Sequence, residues 1–450
     1  MRSIRCPARG PLLPNLAALV LAAGSAAAQV IQVSPPEGPI DEPFAVRIEG
    51  LPPGQPFVLR AALKDDEGRD WQSWAGYLAD GEGRADLANL APRHGSFDGS
   101  GTDGLFSSMD LTGEARGRAR FAYSAQLPMQ IRLTAEVSRQ AVATATATRY
   151  IRPPAGEVEQ LREAGLAGTL FRPPGGRPAP GVVVIGGSEG GIPEATAALL
   201  SGRGFAALAV GNFGVSGHPD ALERIPLESF ERAIAWLLRH PGVSGDRVGI
   251  VGTSKGAEAA LLIGSGSRRV GAIAAYAPSS VAWSCICPRP GEPSWTRDGQ
   301  PVAFIPPGTD PTYAPPAGAP IEPAVHYLYR IGHHSAARAA EIPVESILAP
   351  VLLVWGHEDR LWPSAESVRR IQERRRRSAK PPFAELGYAG AGHLIGLPGL
   401  PAGSTIVGGR LETGGSPRKN AAASLDSWAR VIAFLDRALR PAGEGPGNVD

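Results

Sequence analysis

Short apolar runs separated by turn residues fill the first third of the chain. From residue 29 to about 152, β-branched stretches alternate with clusters of Pro, Gly and Asp at intervals of roughly 8–12 residues. Two later segments, QIRLTAEV (130–137) and ATATATRYIR (143–152), alternate apolar and polar positions with the period of two that is typical of half-buried strands. This pattern predicts an antiparallel β-sandwich over residues 29–152, immunoglobulin-like in size.

Near residue 155 the pattern changes to continuous apolar runs that alternate with amphipathic segments. The predicted strands are GVVVIGG (181–187), FAALAV (205–210), RVGIVGTS (247–254), GAIAAYAP (271–278) and PVLLVWGHED (350–359). Strands that are apolar throughout and joined by helices indicate a mostly parallel sheet with helices on both faces. We therefore predict an α/β domain over residues 153–440, with a Pro-rich insertion at about 280–346 and a flexible tail at 441–450.

The first 28 residues have the features of a secretory signal peptide. Three arginines form a basic n-region, residues 12–24 form an apolar h-region, and residues 26–28 are three alanines that suit a signal peptidase. Pro14 and Asn15 interrupt the apolar run, which is also too short to span a bilayer, and no later segment approaches about 18 apolar residues. The sequence therefore predicts an exported protein, periplasmic or secreted, without a membrane span.

Charge argues against a polyanionic partner. The 450 residues carry 45 Lys and Arg against 43 Asp and Glu, a formal net charge of +2. Removal of the signal peptide takes away three arginines and leaves 42 basic against 43 acidic residues. A near-neutral chain gives no electrostatic basis for binding nucleic acid or an anionic membrane. The one basic run, RRIQERRRR (369–377), has the spacing of a solvated helix face.

Neither cysteines nor histidines form a pattern that predicts a metal or a cofactor. Cys285 and Cys287 stand in a Cys-Ile-Cys segment with no His or acidic pattern around them, which argues against zinc. A disulfide between them is possible in an oxidising compartment. His333 and His334 lack an acidic partner at helical spacing. The expected partner is a small-molecule substrate.

Two segments share the spelling Gly-x-Ser-x-Gly, and each follows a predicted strand. GGSEG (186–190) follows the first strand of the predicted sheet, and GTSKG follows the third. In α/β-type serine hydrolases the nucleophile lies on a sharp strand-to-helix turn, and an earlier loop supplies amides to the oxyanion hole. The order along the sheet therefore predicts that Ser254 is the nucleophile. The oxyanion hole is then expected at the backbone amides of Gly187, Ser188 and Lys255.

A serine nucleophile needs a general base and an acid that orients the base. Asp359 ends the strand PVLLVWGHED, and His393 lies in GAGHLIG, a glycine-rich loop after the last predicted strand. The chain order Ser254, Asp359, His393 is the order of α/β-hydrolase triads. Glu358 is the alternative acid, and His357 is a weaker alternative base. Without catalytic roles, Asp359 would only cap the next helix and His393 would be a surface loop residue.

Lys255 is unusual because it directly follows the candidate nucleophile at the start of a predicted helix. A cation there opposes the helix dipole at a cost of a few tenths of a kcal/mol. Glu258, three residues later, offers an ion pair on the same helix face. Two interpretations stay open at this point. The pair either lies on a solvated helix start, or Lys255 fixes the elbow or attracts an anionic group.

Several segments follow one another in an order that is specific to a known family. The N-terminal part contains LKDDEGRDWQSWAGYLADGEGRADLANLAPRHGSFDGSGTDGLFSSM, and the C-terminal part contains PGVVVIGGSEGGIPEATAALLSGRGFAALAV, GTSKGAE, PVESILAPVLLVWGHEDRLWPS and GAGHLI. In these segments the chain resembles the acyl-CoA thioesterase / bile acid-CoA:amino acid N-acyltransferase family over nearly all of its mature length. The resemblance implies an α/β-hydrolase fold preceded by an immunoglobulin-like β-sandwich, with the triad Ser254, Asp359 and His393.

The nucleophile separates two activities within that family. Serine is associated with thioester hydrolysis and cysteine with transfer to an amino acid, so the resemblance implies that Ser254 belongs to an acyl thioester hydrolase that needs no cofactor. The alternatives are an acyltransferase acting on an amine or alcohol, an exported carboxylesterase and, more remotely, a non-catalytic binding protein. Familiar members are intracellular, where acyl-CoA is found. Export would separate this protein from CoA and leaves the acyl group and the leaving group open.

Overall fold

The computed structural model describes residues 28–113, 119–161, 163, 165–289, 291–401 and 403–440. The predicted signal peptide, apart from its last residue, and the predicted flexible tail lie outside these residues. The described chain forms a β part followed by an α/β part.

Two β-sheets make up the N-terminal part. Its strands and its short helix are β1 (Val30–Ser34), β2 (Glu37–Pro39), β3 (Ala45–Glu49), β4 (Pro56–Lys64), β5 (Asp70–Leu78), β6 (Ala85–Asp86), β7 (His94–Gly95), α1 (Asp103–Ser107), β8 (Asp110–Leu111), β9 (Met129–Val137) and β10 (Gln140–Tyr150). The first sheet has the order β1-β3-β6, and the second has the order β2-β10-β9-β4-β5-β7 with β8 against β5.

Alternation of side chains builds the core of the N-terminal part. In β4, Phe57, Leu59, Ala61 and Leu63 are buried, whereas the residues between them are partly exposed. Successive side chains of a strand point to opposite faces of the sheet, so this pattern gives β4 one core face and one outer face. The antiparallel pairing predicted for 130–137 and 143–152 is confirmed by β9 and β10. The immunoglobulin-like topology stays a prediction.

An eight-stranded mixed sheet is the centre of the C-terminal part. The remaining strands are β11 (Glu157–Leu161), β12 (Ala167–Arg172), β13 (Ala179–Ile185), β14 (Ala206–Gly211), β15 (Ile225–Pro226), β16 (Val243–Thr253), β17 (Val270–Tyr276), β18 (Trp295–Arg297), β19 (Gln300–Pro301), β20 (Val351–Gly356), β21 (Ala384–Tyr388), β22 (Ile406–Val407) and β23 (Leu411–Glu412). The sheet has the order β11-β12-β14-β13-β16-β17-β20-β21.

Helices cover both faces of this sheet. They are α2 (Glu194–Ser201), α3 (Leu227–Arg239), α4 (Lys255–Gly266), α6 (Ser364–Arg377) and α7 (Pro417–Leu439), whereas α5 (Pro323–His333) packs in a separate apolar cluster of the insertion, which ends near the 3₁₀ turn Val344–Ser346. Val182 and Val184 of β13 pack in one apolar cluster with α2 and α7. Val183 and Ile185 pack in another cluster with α3, α4 and α6. The sheet is therefore buried on both sides, which is why its strands are apolar throughout.

The predicted parallel sheet is confirmed for its larger portion. From β14 and β13 to β21 all neighbouring strands are parallel, whereas β11–β12 and β12–β14 are antiparallel. A mostly parallel sheet with helices on both faces is an α/β architecture, and the strand order given above is α/β-hydrolase-like. Because parallel strands end at one edge, the turns after β13, β16, β20 and β21 lie along the same side of the molecule.

One buried carboxylate ties the two parts together. Asp41 of the N-terminal part accepts hydrogen bonds from Arg203 Nε at 2.7 Å and from Trp428 Nε1 at 2.8 Å. Arg203 follows α2 and Trp428 belongs to α7, so Asp41 contacts both helices on that face. The apolar cluster on this face also continues into the core of the N-terminal part. The two parts therefore share a core.

The Arg-rich helix α6 departs from the sequence interpretation. Arg369 is exposed and pairs with Glu366, as a solvated face would. Arg375, by contrast, is only 6% exposed and donates to the carbonyl oxygens of Val344 and Ile347 at 3.3 Å. The prediction that the whole run is solvated is therefore wrong for Arg375, because the end of the insertion folds back onto α6.

Candidate active site

Ser254 lies on a strained turn between β16 and α4. Its backbone has φ 56° and ψ −117°, in the left-handed half of conformational space that residues with a side chain rarely adopt. The Ser254 N–H donates to Tyr276 O at 2.8 Å, and the Ser254 carbonyl accepts from Glu258 N at 3.1 Å. These bonds hold the strained residue between the neighbouring strand and the first helical turn. Strain maintained in this way is typical of functional sites.

The two glycines around Ser254 are required by sterics. A Cβ atom on Gly252 would lie 2.4 Å from Gly256 O, and one on Gly256 would lie 2.3 Å from the carbonyl oxygens of Ile185 and Gly186. Side chains at these positions would collide with backbone. The spelling Gly-x-Ser-x-Gly is therefore a packing requirement of this elbow.

The second segment with that spelling has a different conformation. Ser188 is exposed and is not among the residues with positive φ, and helix α2 begins only at Glu194. Ser188 therefore lies in a surface turn rather than on a strand-to-helix elbow. This difference supports the choice of Ser254 over Ser188 as the candidate nucleophile.

Asp359 and His393 form a buried pair. His393 Nδ1 lies 2.9 Å from Asp359 Oδ2, and the two side chains are 7% and 2% exposed. Since an ionised carboxylate only accepts hydrogen bonds, this contact places a proton on Nδ1 and leaves Nε2 as an acceptor. A neutral imidazole in that tautomer is the form that can remove a proton from a serine hydroxyl.

Further donors fix the Asp359 carboxylate. Oδ1 accepts from the backbone N–H groups of Leu361 at 3.1 Å and Trp362 at 2.9 Å, and Oδ2 accepts from Ser364 Oγ at 2.5 Å. Each oxygen therefore has a separate set of partners. These bonds lie in the turn before α6, whose N-cap is Pro363 without a side-chain cap, so Asp359 does not cap the helix as it would have been expected to do without a catalytic role.

The alternative acid and base do not make this contact. Glu358 is exposed, and its backbone N–H donates to Ala391 O at 2.9 Å. His357 is exposed and stacks on Trp355 with ring centroids 4.4 Å apart. Of the two adjacent acids, Asp359 is the one whose carboxylate reaches His393.

A glycine pair missed by the sequence analysis positions the dyad. Gly414 forms an isolated antiparallel β-bridge with Asp359. Gly415 forms another with Ala391, two residues before His393. A Cβ atom on Gly414 would lie 1.8 Å from Glu358 O, so the segment runs directly against the acid loop. His393 N–H also donates to Thr413 O at 2.8 Å. Residues 413–415 thus join the acid loop to the histidine loop. Two adjacent glycines before the N-cap Ser416 were the available signal.

The Ser254 hydroxyl is accessible but makes no hydrogen bond within the part of the chain that the structure describes. Ser254 is 8% exposed and His393 is 6% exposed. Catalytic hydrogen bonds are often formed only when substrate is bound. The structure thus places Asp359 on His393, and the contact between His393 and Ser254 remains a prediction.

The expected oxyanion amides differ in their present partners. Lys255 N–H is at the first position of α4, where no intrahelical acceptor exists. Gly187 N–H donates to the side chain of Glu189, with 3.1 Å between N and Oε1. The Gly187 amide therefore already has an acceptor in this structure, and its part in the oxyanion hole stays a prediction.

Lys255 and Glu258 form the predicted pair, but not on a solvated surface. Lys255 Nζ lies 2.8 Å from Glu258 Oε1, and their side chains are 1% and 0% exposed. The solvated interpretation is wrong because the insertion covers this helix start. Glu258 Oε1 also accepts from Trp283 N at 3.1 Å and Trp295 Nε1 at 2.7 Å. Lys255 therefore fixes the elbow region to the insertion and cannot attract an anionic group from solvent.

Burial of Lys255 and Glu258 disfavours the charged form of each side chain. Burial raises the pKa of the Glu258 carboxyl, and the attraction of Lys255 with the donors from Trp283 and Trp295 opposes that rise. Burial lowers the pKa of the Lys255 ammonium, and Glu258 opposes the change. Each charge is stable here only because the other is present. Removal of one residue should therefore leave the other as an unpaired buried charge.

We expect Glu258→Gln to lower the free energy of unfolding by about 3–5 kcal/mol, because Lys255 is left as an unpaired buried cation. Urea denaturation followed by circular dichroism measures this change. Glu366→Gln, which removes the exposed partner of Arg369, should cost less than about 1 kcal/mol. Equal small losses in both variants would show that the buried pair does not hold the elbow.

No group of three or more His, Cys, Asp or Glu side chains that could hold a metal occurs among the described residues. No helix in the described chain is long and apolar enough to cross a membrane. Cys285 and Cys287 are joined by a disulfide, the pairing that the sequence left open.

Comparison with known proteins places the chain in a family. Residues 41–163 match the model described as "Acyl-CoA thioester hydrolase/BAAT N-terminal region", and residues 225–441 match "BAAT / Acyl-CoA thioester hydrolase C terminal". Among solved structures, a puromycin-hydrolyzing peptidase of Mycobacterium tuberculosis is 16% identical with a TM-score of 0.43, covering 92% of this chain and 68% of its own.

Curated relatives are similar over nearly their whole length. Acyl-coenzyme A thioesterase 6 of Mus musculus is 30% identical over 418 residues, which cover 91% of this chain and 96% of the relative. Acyl-coenzyme A amino acid N-acyltransferase 1 of Mus musculus is 29% identical, covering 91% and 98%. The chain therefore belongs to the acyl-CoA thioester hydrolase/BAAT family of enzymes.

Proposed function

We propose that the protein hydrolyses acyl thioesters with Ser254 as nucleophile, His393 as general base and Asp359 as the group that orients His393. The observation that carries the proposal is the buried contact of 2.9 Å between His393 Nδ1 and Asp359 Oδ2, on the same sheet edge as the strained Ser254. A carboxylate, an imidazole and a serine on a strained elbow are the parts that acyl transfer requires.

The reaction has two stages. His393 Nε2 takes the Ser254 proton while Ser254 Oγ bonds to the acyl carbon. The resulting oxyanion is bound by the backbone N–H groups of Gly187, Ser188 and Lys255. The carbon–sulfur bond then breaks, and His393 returns the proton to the leaving thiolate. In the second stage His393 removes a proton from water, whose oxygen attacks the acyl carbon. The ester bond to Ser254 Oγ then breaks, His393 returns the proton to Oγ, and a carboxylic acid leaves.

Acyl-CoA is the substrate class that the relatives favour. Several relatives are named acyl-coenzyme A thioesterases, including acyl-coenzyme A thioesterase 1 of Homo sapiens at 30% identity. Serine at position 254 is consistent with the hydrolytic rather than the transferring members of the family. Export through residues 1–28 and an immunoglobulin-like N-terminal sandwich remain parts of this proposal. An exported enzyme would act on thioesters or esters present outside the cytoplasm.

Acyl transfer is the second candidate, because a relative of similar identity is named an N-acyltransferase. The chemistry differs only in the acceptor: an amine replaces water in the second stage. The product therefore separates the two functions.

A substrate panel tests the proposal. Purified protein is incubated with acyl-CoAs of short, medium and long chain and with p-nitrophenyl esters of the same acyl groups, with and without glycine or taurine. We expect acyl-CoA to be cleaved with the higher kcat/KM and free fatty acid to be the main product. Amide as the main product would favour the transferase, and cleavage of the oxygen esters alone would identify a carboxylesterase.

A further inference from the structure

The occupied amide of Gly187 points to a function for Glu189. The Glu189 carboxylate comes from two residues further along the same loop and accepts the Gly187 N–H at 3.1 Å. The loop follows β13, at the sheet edge where oxyanion-hole amides are expected. A negatively charged group thus lies where a negatively charged intermediate would be bound.

This carboxylate lies close to the elbow. A Cβ atom built on Gly187 would lie 2.6 Å from Glu189 Oε2 and 3.4 Å from Thr253 O, the carbonyl of the residue before Ser254. The preceding residue, Gly186, is packed against Gly256, whose Cβ position lies 2.3 Å from Gly186 O. The Glu189 carboxylate and the end of β16 therefore meet at the same face of Gly187.

The Gly187 contact is the one hydrogen bond that holds the Glu189 carboxylate within the described chain. Glu189 is exposed, and within the described chain it forms no ion pair and accepts no hydrogen bond besides that from Gly187. Glu194, at the start of α2, is held more firmly, since it accepts a hydrogen bond from Thr169 Oγ1 at 2.6 Å. A single exposed hydrogen bond is easily exchanged for water, so the Glu189 side chain can leave.

The N-terminal part of the chain reaches the same place. Ser404 N–H donates to Ala119 O at 2.9 Å, which holds the segment after residue 118 against the α/β part. Tyr123 in this segment is 40% exposed, yet its hydroxyl is desolvated, which raises its pKa. The charge of Glu189 raises the pKa of Tyr123 further, whereas Arg120 lowers it.

We propose that Glu189 is an internal gate of the oxyanion hole, capping the Gly187 amide in the empty enzyme and leaving when the acyl carbonyl enters. The proposal rests on the proposed function, because it concerns the amide that would bind the oxyanion. Two like charges cannot share one amide, so the carboxylate must move before the tetrahedral intermediate forms. Glu189 competes with the acyl carbonyl of the substrate for the Gly187 amide. It is a positioning residue and takes no part in the bond-forming steps.

Removal of the carboxylate should therefore make the site more reactive. We expect Glu189→Ala to react with a fluorophosphonate and to hydrolyse p-nitrophenyl acetate about 3- to 10-fold faster than wild type in kcat/KM. Glu194→Gln is the matched control, because it removes one charge from the same edge and keeps an acceptor for Thr169. Its rates should equal those of wild type. Unchanged or lower rates in Glu189→Ala would overturn the gate, and lower rates would show that the carboxylate only supports the loop.

A second measurement keeps the gate separate from the proposed function. In protein labelled with ¹⁵N-glycine, the Gly187 amide resonance should shift in Glu189→Gln, which removes the charge on its acceptor, and should stay unchanged in Glu194→Gln. If wild type is not labelled at Ser254 at all, the proposed function fails, and the gate is judged by this resonance alone. If the Gly187 amide has the same chemical shift in wild type and in Glu189→Gln, the hydrogen bond between Gly187 and Glu189 does not form in solution, and the gate is overturned.

Discussion

Ser254→Ala should reduce kcat for thioester hydrolysis by about 10⁴- to 10⁶-fold, the range over which serine triads lose activity when a member is removed. The loss follows from the absence of the only atom that forms the acyl bond. Alanine should leave the fold unchanged, because the Ser254 hydroxyl makes no hydrogen bond within the described chain and its backbone bonds to Tyr276 and Glu258 remain. Hydrolysis is measured by release of free thiol from the best acyl-CoA.

Ser188→Ala is the control for the other Gly-x-Ser-x-Gly segment. Ser188 is exposed and contributes only its backbone amide to the proposed mechanism, so its activity should stay within about 2-fold of wild type, as for most surface substitutions. The reverse result, with Ser188→Ala inactive and Ser254→Ala active, would transfer the role of nucleophile to Ser188.

Asp359→Asn should reduce kcat by about 10⁴-fold, because the asparagine would stabilise the tautomer of His393 that cannot act as a base toward Ser254. The Asp359 Oδ1 position accepts from the backbone of Leu361 and Trp362, so the asparagine oxygen should occupy it. The asparagine NH₂ group would then face His393 Nδ1 and donate to it. His393 would carry its proton on Nε2, where it can no longer accept from Ser254.

Ser364→Ala separates this effect from a general loss of order in the acid loop. Ser364 Oγ donates to the same oxygen of Asp359 as His393 does, and Ser364 is fully buried. Its loss removes one hydrogen bond but keeps the charge and the tautomer, so we expect a decrease of only about 10-fold. If Ser364→Ala and Asp359→Asn lost equal activity with equal thermal stability, orientation of the tautomer would not explain the effect.

The strands that could be predicted from the sequence are those whose burial requires a continuous run of apolar residues. Strands β13, β14, β17 and β20 and the second half of β16 are buried on both faces, and their Val- and Ala-rich runs identified them. Ser254 and Asp359 follow strands of this kind, and His393 follows the neighbouring edge strand β21, so their common sheet edge could be predicted. The contact between Asp359 and His393 then followed from topology.

Other features were missed because no sequence pattern reveals their cause. Strand β11 is an edge strand with four of its five residues exposed, and its sequence EVEQL has no apolar run to reveal it. The burial of Lys255 depends on Trp283 and Trp295, which reach it from the insertion. Position 187 could be predicted as an amide donor, but its capping by Glu189 depends on a side-chain conformation. For β11 and Lys255 the deciding contacts come from tertiary structure, whereas the Glu189 contact is local and depends on which rotamer the side chain adopts.

The central claim is that Ser254 carries the acyl group, and peptide mapping tests it most directly. The protein is treated with a fluorophosphonate and digested with trypsin, which cuts after Arg247 and Lys255 and releases VGIVGTSK, a peptide whose one serine is Ser254. We predict that the mass of the adduct is found on this peptide in wild type and is absent from Ser254→Ala. An adduct on the peptide that contains Ser188, or a wild-type protein with no adduct, would contradict the account.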